Sequence, residues 1–423
     1  MGGRRHFRAV SAPPRRHATI ALVVLTGVNL LNYIDRYVVP AVFESLKRTD
    51  IHPSDTQLGL LMSGFLIVYM CTAPIFGLLG DTGRRPRVLA AGVAVWSAAT
   101  ALGGLAWNYL SLLVARGIVG VGEAAYGTIG PSLLADSFPP RTRGRAFAVF
   151  YMAIPVGAAL GFAIGGFVDH HWGWRRAFFV AGIPGLLLAT LVARLREPPR
   201  GASDASAASL AEHTAPPTMG AVTWTLLANR AYLLTVLGYA AYTFALGGIA
   251  TWMVPFLERV RGLPGDVATV RFGGIVVLTG LAGTLGGGWL GDLLLARTRQ
   301  AYLWLSGIAT LLAAPLFYLA LASSTPAVYW SATIGAELLM FASTGPINTA
   351  IVSVVPASIR SSAMALSILA IHSFGDVPSP ALVGWISDRA SLDLAVLILP
   401  AAALVGGLVW TYGAATTRAS PAA

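Results

Sequence analysis

Lysine and cysteine are almost absent from this chain. Of 423 residues, one is lysine (Lys47) and one is cysteine (Cys71). A single thiol excludes an intramolecular disulfide and leaves no partner for paired-thiol chemistry. Charge is scarce as well, at 11% of residues, against about 25% in a soluble domain. No His/Cys/carboxylate group stands at metal-ligand spacing and no nucleophile–base constellation occurs, so neither a metal centre, a cofactor nor an enzymatic active site is expected. The glycines of Gly117–Gly127 imitate a dinucleotide-binding loop, but no strand precedes them, and that reading fails. The first twenty residues are rich in arginine and proline and lack an apolar core, so they do not read as a cleavable signal. The first helix is expected to serve as the uncleaved membrane signal.

What the chain has instead is apolar length. Hydrophobic residues make up 56% and the mean hydropathy is +0.69. A helix that spans a bilayer needs roughly 20 apolar residues, and apolar runs fall near 18–46, 55–79, 88–107, 109–137, 143–169, 175–195, 230–258, 267–296, 300–322, 326–355, 359–387 and 393–416. The pattern predicts an all-α membrane protein with twelve transmembrane helices. The net charge of +11 is not a nucleic-acid footprint, because its distribution follows the membrane. With both ends cytoplasmic, 19 arginines fall in inner segments and eight basic residues in outer ones, the asymmetry of the positive-inside rule. The expected location is the cell (inner) membrane.

A polar, Ala/Ser/Pro-rich break divides the runs and reads as a flexible tether. The expected organisation is a cytoplasmic tail 1–17, a six-helix bundle 18–195, a linker 196–229, a second bundle 230–416 and a tail 417–423. An internal repeat supports two equivalent halves. Gly77–Asp81 recurs as Gly288–Asp292, Pro139…Arg143…Ala146 as Pro356…Arg360…Ala363, and Gly165…Asp169 as Gly384…Asp388, at offsets of 211, 217 and 219 residues. Duplicated parallel halves around a central site are how many secondary transporters are built.

Four charges interrupt the apolar runs of the first half: Asp35 and Arg36 in Asn32-Tyr33-Ile34-Asp35-Arg36-Tyr37, and Arg116 and Glu123 in the fourth run. A charge at bilayer mid-depth costs roughly 2.5–3.5 kcal/mol on insertion scales, so it persists only with a partner or a task. Arg116 and Glu123 are seven residues apart, about 10.5 Å along a helix, and must find partners on another helix. Asp35 and Arg36 project about 100° apart, so one neighbour should meet only one of them squarely. A buried carboxyl can take up a proton, which makes Asp35 and Glu123 the candidate proton-coupling groups. Arg36 and Arg116 are their partners and candidate contacts for an anionic headgroup. A permanent ion-pair cluster that only locks helix packing is the competing reading.

Weaker signals surround these four. Glu337 lies in the tenth run and is a candidate for protonation or gating, or a permanently neutral acid. His372 and Asp376 stand four apart on one helical face, as a proton relay, a ligand contact or a plain hydrogen bond. Tyr33, Tyr37, Phe65, Tyr69, Tyr126, Tyr151, Tyr239 and Tyr242 could give an amphipathic ligand its aromatic walls, with Asn32 as a further polar contact, though each alone is more often packing. Gly157…Gly161…Gly165 reads as a close helix contact.

The loop Gly77–Arg87, with its second copy, resembles motif A of the major facilitator superfamily. Arg116, Gly120, Gly122 and Pro131 resemble its motif B. Asn32-Tyr33-x-Asp35-Arg36 together with Arg116…Gly120-x-Gly122-Glu123-Ala124-x-Tyr126 is similar to the spinster family of lysolipid and sphingolipid transporters. Trp174–Phe178, Arg196–Gly201 and Arg360-Ser361-Ser362-Ala363…His372…Gly375-Asp376…Ser379-Pro380 extend the likeness over most of the chain. The resemblance implies the major facilitator fold, a cytoplasmic gate built on Asp81, Arg85, Arg143 and Asp292, and a proton-linked or facilitative carrier of amphipathic lipids. Its partners would be protons, membrane lipids and a small lysolipid- or sphingolipid-like substrate, and the unit a monomer. A multidrug or organic-anion proton antiporter, and a lipid scramblase or receptor, stay open beside this reading.

Overall fold

A bilayer offers the backbone no hydrogen-bonding partners, so a spanning chain with these apolar runs must close its own bonds as helices. The computed structural model describes residues 15–138, 140–198, 219–355 and 360–416, and among them there is no strand. The first half contains α1 (Arg15–Ala41), α2 (Phe43–Lys47), α3 (Asp55–Thr82), α4 (Arg85–Gly103), α5 (Tyr109–Ser137), α6 (Pro140–Trp172) and α7 (Trp174–Ala193). The short α8 (Met219–Ala228) precedes the second half, which opens with α9 (Arg230–Arg259), α10 (Gly265–Leu295), α11 (Ala301–Ala322) and α12 (Pro326–Ser353). There follow α13 (Arg360–Ile371), a π-helical turn (His372–Asp376), α14 (Pro378–Arg389), α15 (Leu392–Ala395) and α16 (Ile398–Thr416).

Eleven helices among the described residues are long and apolar enough to cross a membrane. The sequence pattern counts twelve. The odd one is α12, long enough at 28 residues but diluted by Glu337 and several Ser, Thr and Gly residues. Two other runs are divided. The first ends at Ala41, just after Pro40, with Phe43–Lys47 a separate turn. The eleventh is broken by the π turn at His372–Asp376. Of the expected linker, residues 199–218 lie outside the described residues, and its last part holds α8.

Local chemistry fixes where the helices start. Ser54 and Gln57 form a reciprocal capping box on α3, as Asn108 and Ser111 do on α5. Asn229 caps α9 through the Tyr232 amide and donates to the Val354 carbonyl at 2.7 Å, tying α9 to the end of α12. In the first half α1 packs on α6, α3 on α5, and α4 on α5 and α7. In the second, α9 packs on α16, α10 on α12, and α11 on α12 and α16. The α1–α6 contact uses the expected small-residue stripe. A Cβ at Gly157 would stand 2.7 Å from that of Tyr33, and one at Gly161 2.7 Å from the Ile34 carbonyl oxygen. Apolar side chains such as Leu187, Leu278 and Leu285 are exposed, as a lipid-facing surface requires.

The halves meet along two seams, α6 on α10 and α3 on α14. The end that carries the α3–α4 and α10–α11 turns is called inner below, and the other outer. The α3–α14 seam is tightest at the outer end, where a Cβ on Gly384 would overlap the Asp55 carbonyl and one on Gly59 the Pro380 carbonyl. Gly384→Ala should therefore oppose closure of the outer end by about 1–3 kcal/mol, the usual cost of overpacking. Spin-label distances between the outer ends of α3 and α14 should lengthen. Gly161→Ala, buried inside one half, should lower thermal stability without lengthening them. Identical distance distributions in Gly384→Ala and the unaltered protein would show that the seam yields elsewhere.

Candidate functional site

Helix α1 delivers Asn32, Tyr33, Asp35, Arg36 and Tyr37 into the first half, and α5 delivers Arg116 and Glu123 opposite them. The four charges form two separate pairs. Arg116 Nη1 lies 3.3 Å from Asp35 Oδ2, and the second oxygen of Asp35 accepts from the Thr100 hydroxyl of α4 at 2.8 Å. Arg36 grips Glu123 Oε2 through Nε at 2.8 Å and Nη2 at 2.7 Å. Both members of the α1 pair thus reach α5, where helical projection alone expects one. The long arginine side chain makes up the angular difference.

Asp35, Arg116 and Glu123 are buried, whereas the Arg36 side chain keeps 22% of its surface exposed. Arg36 is therefore the group that faces the central space. Its guanidinium lies 5.3 Å from the ring centre of Tyr33, 5.0 Å from Phe65 and 5.5 Å from Tyr69. Arg116 lies 4.9 Å from the same Phe65 ring. One aromatic ring of α3 is thus shared by two cations, and each such contact is attractive once desolvated. Several buried polar atoms remain without a protein partner: Arg116 Nε and Nη2, Glu123 Oε1, Asn32 Nδ2 and the Tyr126 hydroxyl. Unsatisfied groups in such number mark a place where water or a ligand completes the bonding.

The other sequence candidates divide between the two halves. Tyr126 stands between Trp96 and Phe150, and the half-exposed Tyr151 stacks on Phe147. Tyr239 accepts from Asn348 at 3.2 Å. Tyr242 is buried, donates to the Met340 carbonyl at 2.7 Å and packs on Trp410. His372 and Asp376 are hydrogen-bonded at 2.9 Å within the π turn, each about a quarter exposed (26% and 24%). Helical faults of this kind occur often at functional sites. Glu337 is buried in α12 and lines a small cavity between the halves.

Of the four gate candidates, the side chains of Asp81 and Arg143 lie outside the described residues. Arg85 binds Asp136 and the Ser132 hydroxyl of its own half, and Glu197 and the Pro198 carbonyl at the start of the linker. Asp292 accepts from Tyr302 at 2.9 Å, also within its half. Apart from one bond deeper in, between Ser63 and Val377, the hydrogen bonds and ion pairs between described residues that join the halves lie at the outer end.

The outer closure is built by residues that the sequence reading did not single out as functional. Asp55, at the first turn of α3, accepts from Arg259 at 2.5 and 3.1 Å, from Lys47 at 2.7 Å and from Ser387 at 2.5 Å. Arg259 also holds Glu44 at 2.6 Å. Asp388, from the second half, caps α3 by accepting from the amides of Asp55 and Thr56, both at 2.8 Å, and from the Thr56 hydroxyl at 2.6 Å. Deeper in, Ser63 donates to the Val377 carbonyl at 2.5 Å, and Phe43 meets Trp252 edge to face. Two signals were available in the sequence: an acid directly after an N-cap serine, and the repeat pair Gly165…Asp169 and Gly384…Asp388.

Two helical halves, bonded to each other at the outer end, with two buried charge pairs inside the first, define a membrane transporter. Comparison with known proteins agrees. Residues 25–380 match the model of the Major Facilitator Superfamily. Protein spinster homolog 1 of Mus musculus is 35% identical over 416 residues, covering 90% of this chain and 75% of that protein. Its Homo sapiens counterpart is 36% identical over 415 residues, with the same coverage. The crystal structure of a bacterial homologue of the human lysosomal transporter spinster, in an inward-facing and unoccupied conformation, superposes with a TM-score of 0.85 at 23% identity, covering 97% of this chain and all of that one. The chain belongs to the major facilitator superfamily and, within it, to the spinster family. It is a transporter-family protein and not an enzyme.

Proposed function

We propose that this chain is a twelve-helix, proton-coupled secondary transporter that carries single-chain amphipathic lipids, such as lysophospholipids or sphingosine phosphate, by alternating access. It works as a monomer in the cell (inner) membrane with both termini cytoplasmic, the orientation that the arginine distribution favours. The observation that carries the reading is the Arg36–Glu123 pair, in which a buried carboxylate is held by the partly exposed arginine of the charge set. A proton on Glu123 weakens its hold on Arg36, and the freed guanidinium can then meet an anionic headgroup. Loss of the proton restores the pair and expels the headgroup. Arg116, pinned by Asp35 and Thr100, supplies a second positive centre with two unused donors. Aromatic and apolar walls suit a single long chain. The packed outer end weighs against a scramblase, which needs a continuous path and no gate.

Arginine's planar fork matches phosphate geometry better than lysine's point charge. Arg36→Lys should therefore already impair transport in proteoliposomes. Arg36→Ala should lose anionic-headed substrates by roughly 10- to 100-fold, the scale of a charge-assisted contact, with neutral amphiphiles less affected. If Arg36 serves only Glu123, every substrate is lost equally and Arg36→Ala with Glu123→Ala restores activity. Recovery of anionic-lipid transport in that double variant would reject Arg36 as the headgroup site.

A further inference from the structure

Glu337 has no counterion among the described residues. It is 2% exposed, and no hydrogen bond or ion pair reaches its carboxylate among the described residues. The duplicated architecture sharpens the point. Glu123 lies eight residues before Pro131 in α5, and Glu337 nine before Pro346 in α12. Glu337 also follows Glu123 by 214 positions, between the repeat offsets of 211 and 217. The two acids thus hold corresponding levels of the two halves. Glu123 is neutralised by Arg36, but the described arginines of the second half lie within two turns of a helix end or in a connecting turn. His372 of the second half is bound to Asp376.

The surroundings of Glu337 are selective. It lines a cavity of about 100 Å³ with Tyr37, Phe162, Phe272 and Phe341, closed on one side by aliphatic residues of α9. Three of these rings form a continuous edge-to-face series, Tyr37 to Phe162 at 5.0 Å and Phe162 to Phe272 at 5.4 Å. The space equals that of about three waters. An isolated carboxylate in such a place is unfavourable unless a proton or a cation joins it, and ring faces attract an ammonium group. Tyr37 directly follows Arg36, so this acidic, aromatic pocket adjoins the basic site along α1.

We propose that the Glu337 pocket binds the ammonium group of the transported amphiphile, so that the substrate is a zwitterion whose anionic part meets Arg36. The proposal rests on the reading of the cavity as a site for a single-chain amphiphile.

The test uses the full chain in nanodiscs and two probes with the same tail, decyltrimethylammonium and decyl phosphate, read by thermal shift and tryptophan fluorescence titration. Glu337→Gln should weaken decyltrimethylammonium by about tenfold or more and leave decyl phosphate within about twofold. Arg36→Ala should do the reverse. Phe341→Leu should weaken the ammonium probe alone, and it carries the comparison if Glu337→Gln does not fold. Equal affinity of the ammonium probe for wild type and both pocket variants would overturn the proposal. Equal loss of both probes would overturn it too, by making Glu337 a packing or proton group. If decyl phosphate fails to bind wild type while decyltrimethylammonium binds through Glu337, the anionic-headgroup reading falls and the ammonium site stands.

Discussion

Glu123→Gln should reduce proton-driven accumulation of substrate to simple equilibration. Each proton coupled to transport supports about a tenfold concentration ratio per pH unit, since 1.4 kcal/mol is a factor of ten. The amide keeps the shape of the side chain and an oxygen for Arg36, but it can neither take up nor release a proton. Arg36 is partly exposed to the cavity, so water can solvate it when its anion is gone, and the fold should survive. Asp35→Asn is a harsher change. It strands Arg116, which is 1% exposed, and removing one member of a buried pair typically costs 3–5 kcal/mol. That variant should lose thermal stability as well as coupling. The measurement is uptake into proteoliposomes under an imposed pH gradient, with exchange at equal pH as the control for folding. Accumulation that keeps its wild-type pH dependence in both variants would remove the two carboxyls from the coupling mechanism and leave the cluster as a packing device.

Asp55→Asn should shift the protein toward an outward-open state by about 1–3 kcal/mol, roughly 5- to 150-fold in the closed-to-open ratio. In the closed outer end one buried carboxylate joins Arg259, Lys47 and Ser387. Once the halves separate, Arg259 is carried off on α9 and Ser387 on α14, while Lys47 stays beside Asp55 in the first half. The charge of Asp55 therefore stabilises the closed arrangement more than the open one, and removing it should act on the equilibrium rather than on the fold. Arg259→Gln should act in the same direction, with the added loss of its bond to Glu44. Distances between labels on the outer ends of α3 and α14, together with accessibility of a cysteine placed at position 63, report the shift. Unchanged distances and accessibility in both variants would mean that apolar contacts such as Phe43 with Trp252 hold the outer end shut without help from the ion pairs.

Much of this arrangement was legible in the chain. Apolar run length located the helices, because spanning a bilayer leaves little else for such a run to do. The four intramembrane charges stood out because they are costly there. Pairing was only half visible: the seven-residue spacing of Arg116 and Glu123 excluded a bond between them, but only coordinates could say that Arg36 takes Glu123 and Asp35 takes Arg116. The break at His372–Asp376 was hidden, since an inserted π turn leaves the apolar pattern intact. The outer closure was hidden for another reason. Asp55, Arg259 and Asp388 sit at helix ends, where charged residues are commonplace, and the partners are 204 and 333 positions apart. The closing weakness of α12 as an apolar run has a local cause, an acid placed at mid-depth.

One helix touches every level at which this transporter must act. With 28 residues, α3 is about 42 Å long. It begins at Asp55 in the outer closure, presents Phe65 to both arginines about 15 Å further in, and ends beside Asp81 about 24 Å beyond that. Pro74 removes one backbone bond on the inner stretch, yet the helix runs on to Thr82, and no relay of side chains is needed to carry news of an occupied site. If the ring of Phe65 is pushed aside when a guanidinium changes partner, the tilt of the whole helix changes with it, and both mouths of the protein feel the displacement at once and in opposite senses. Mutual exclusion of the two openings is then a matter of leverage, with the fulcrum at an aromatic ring.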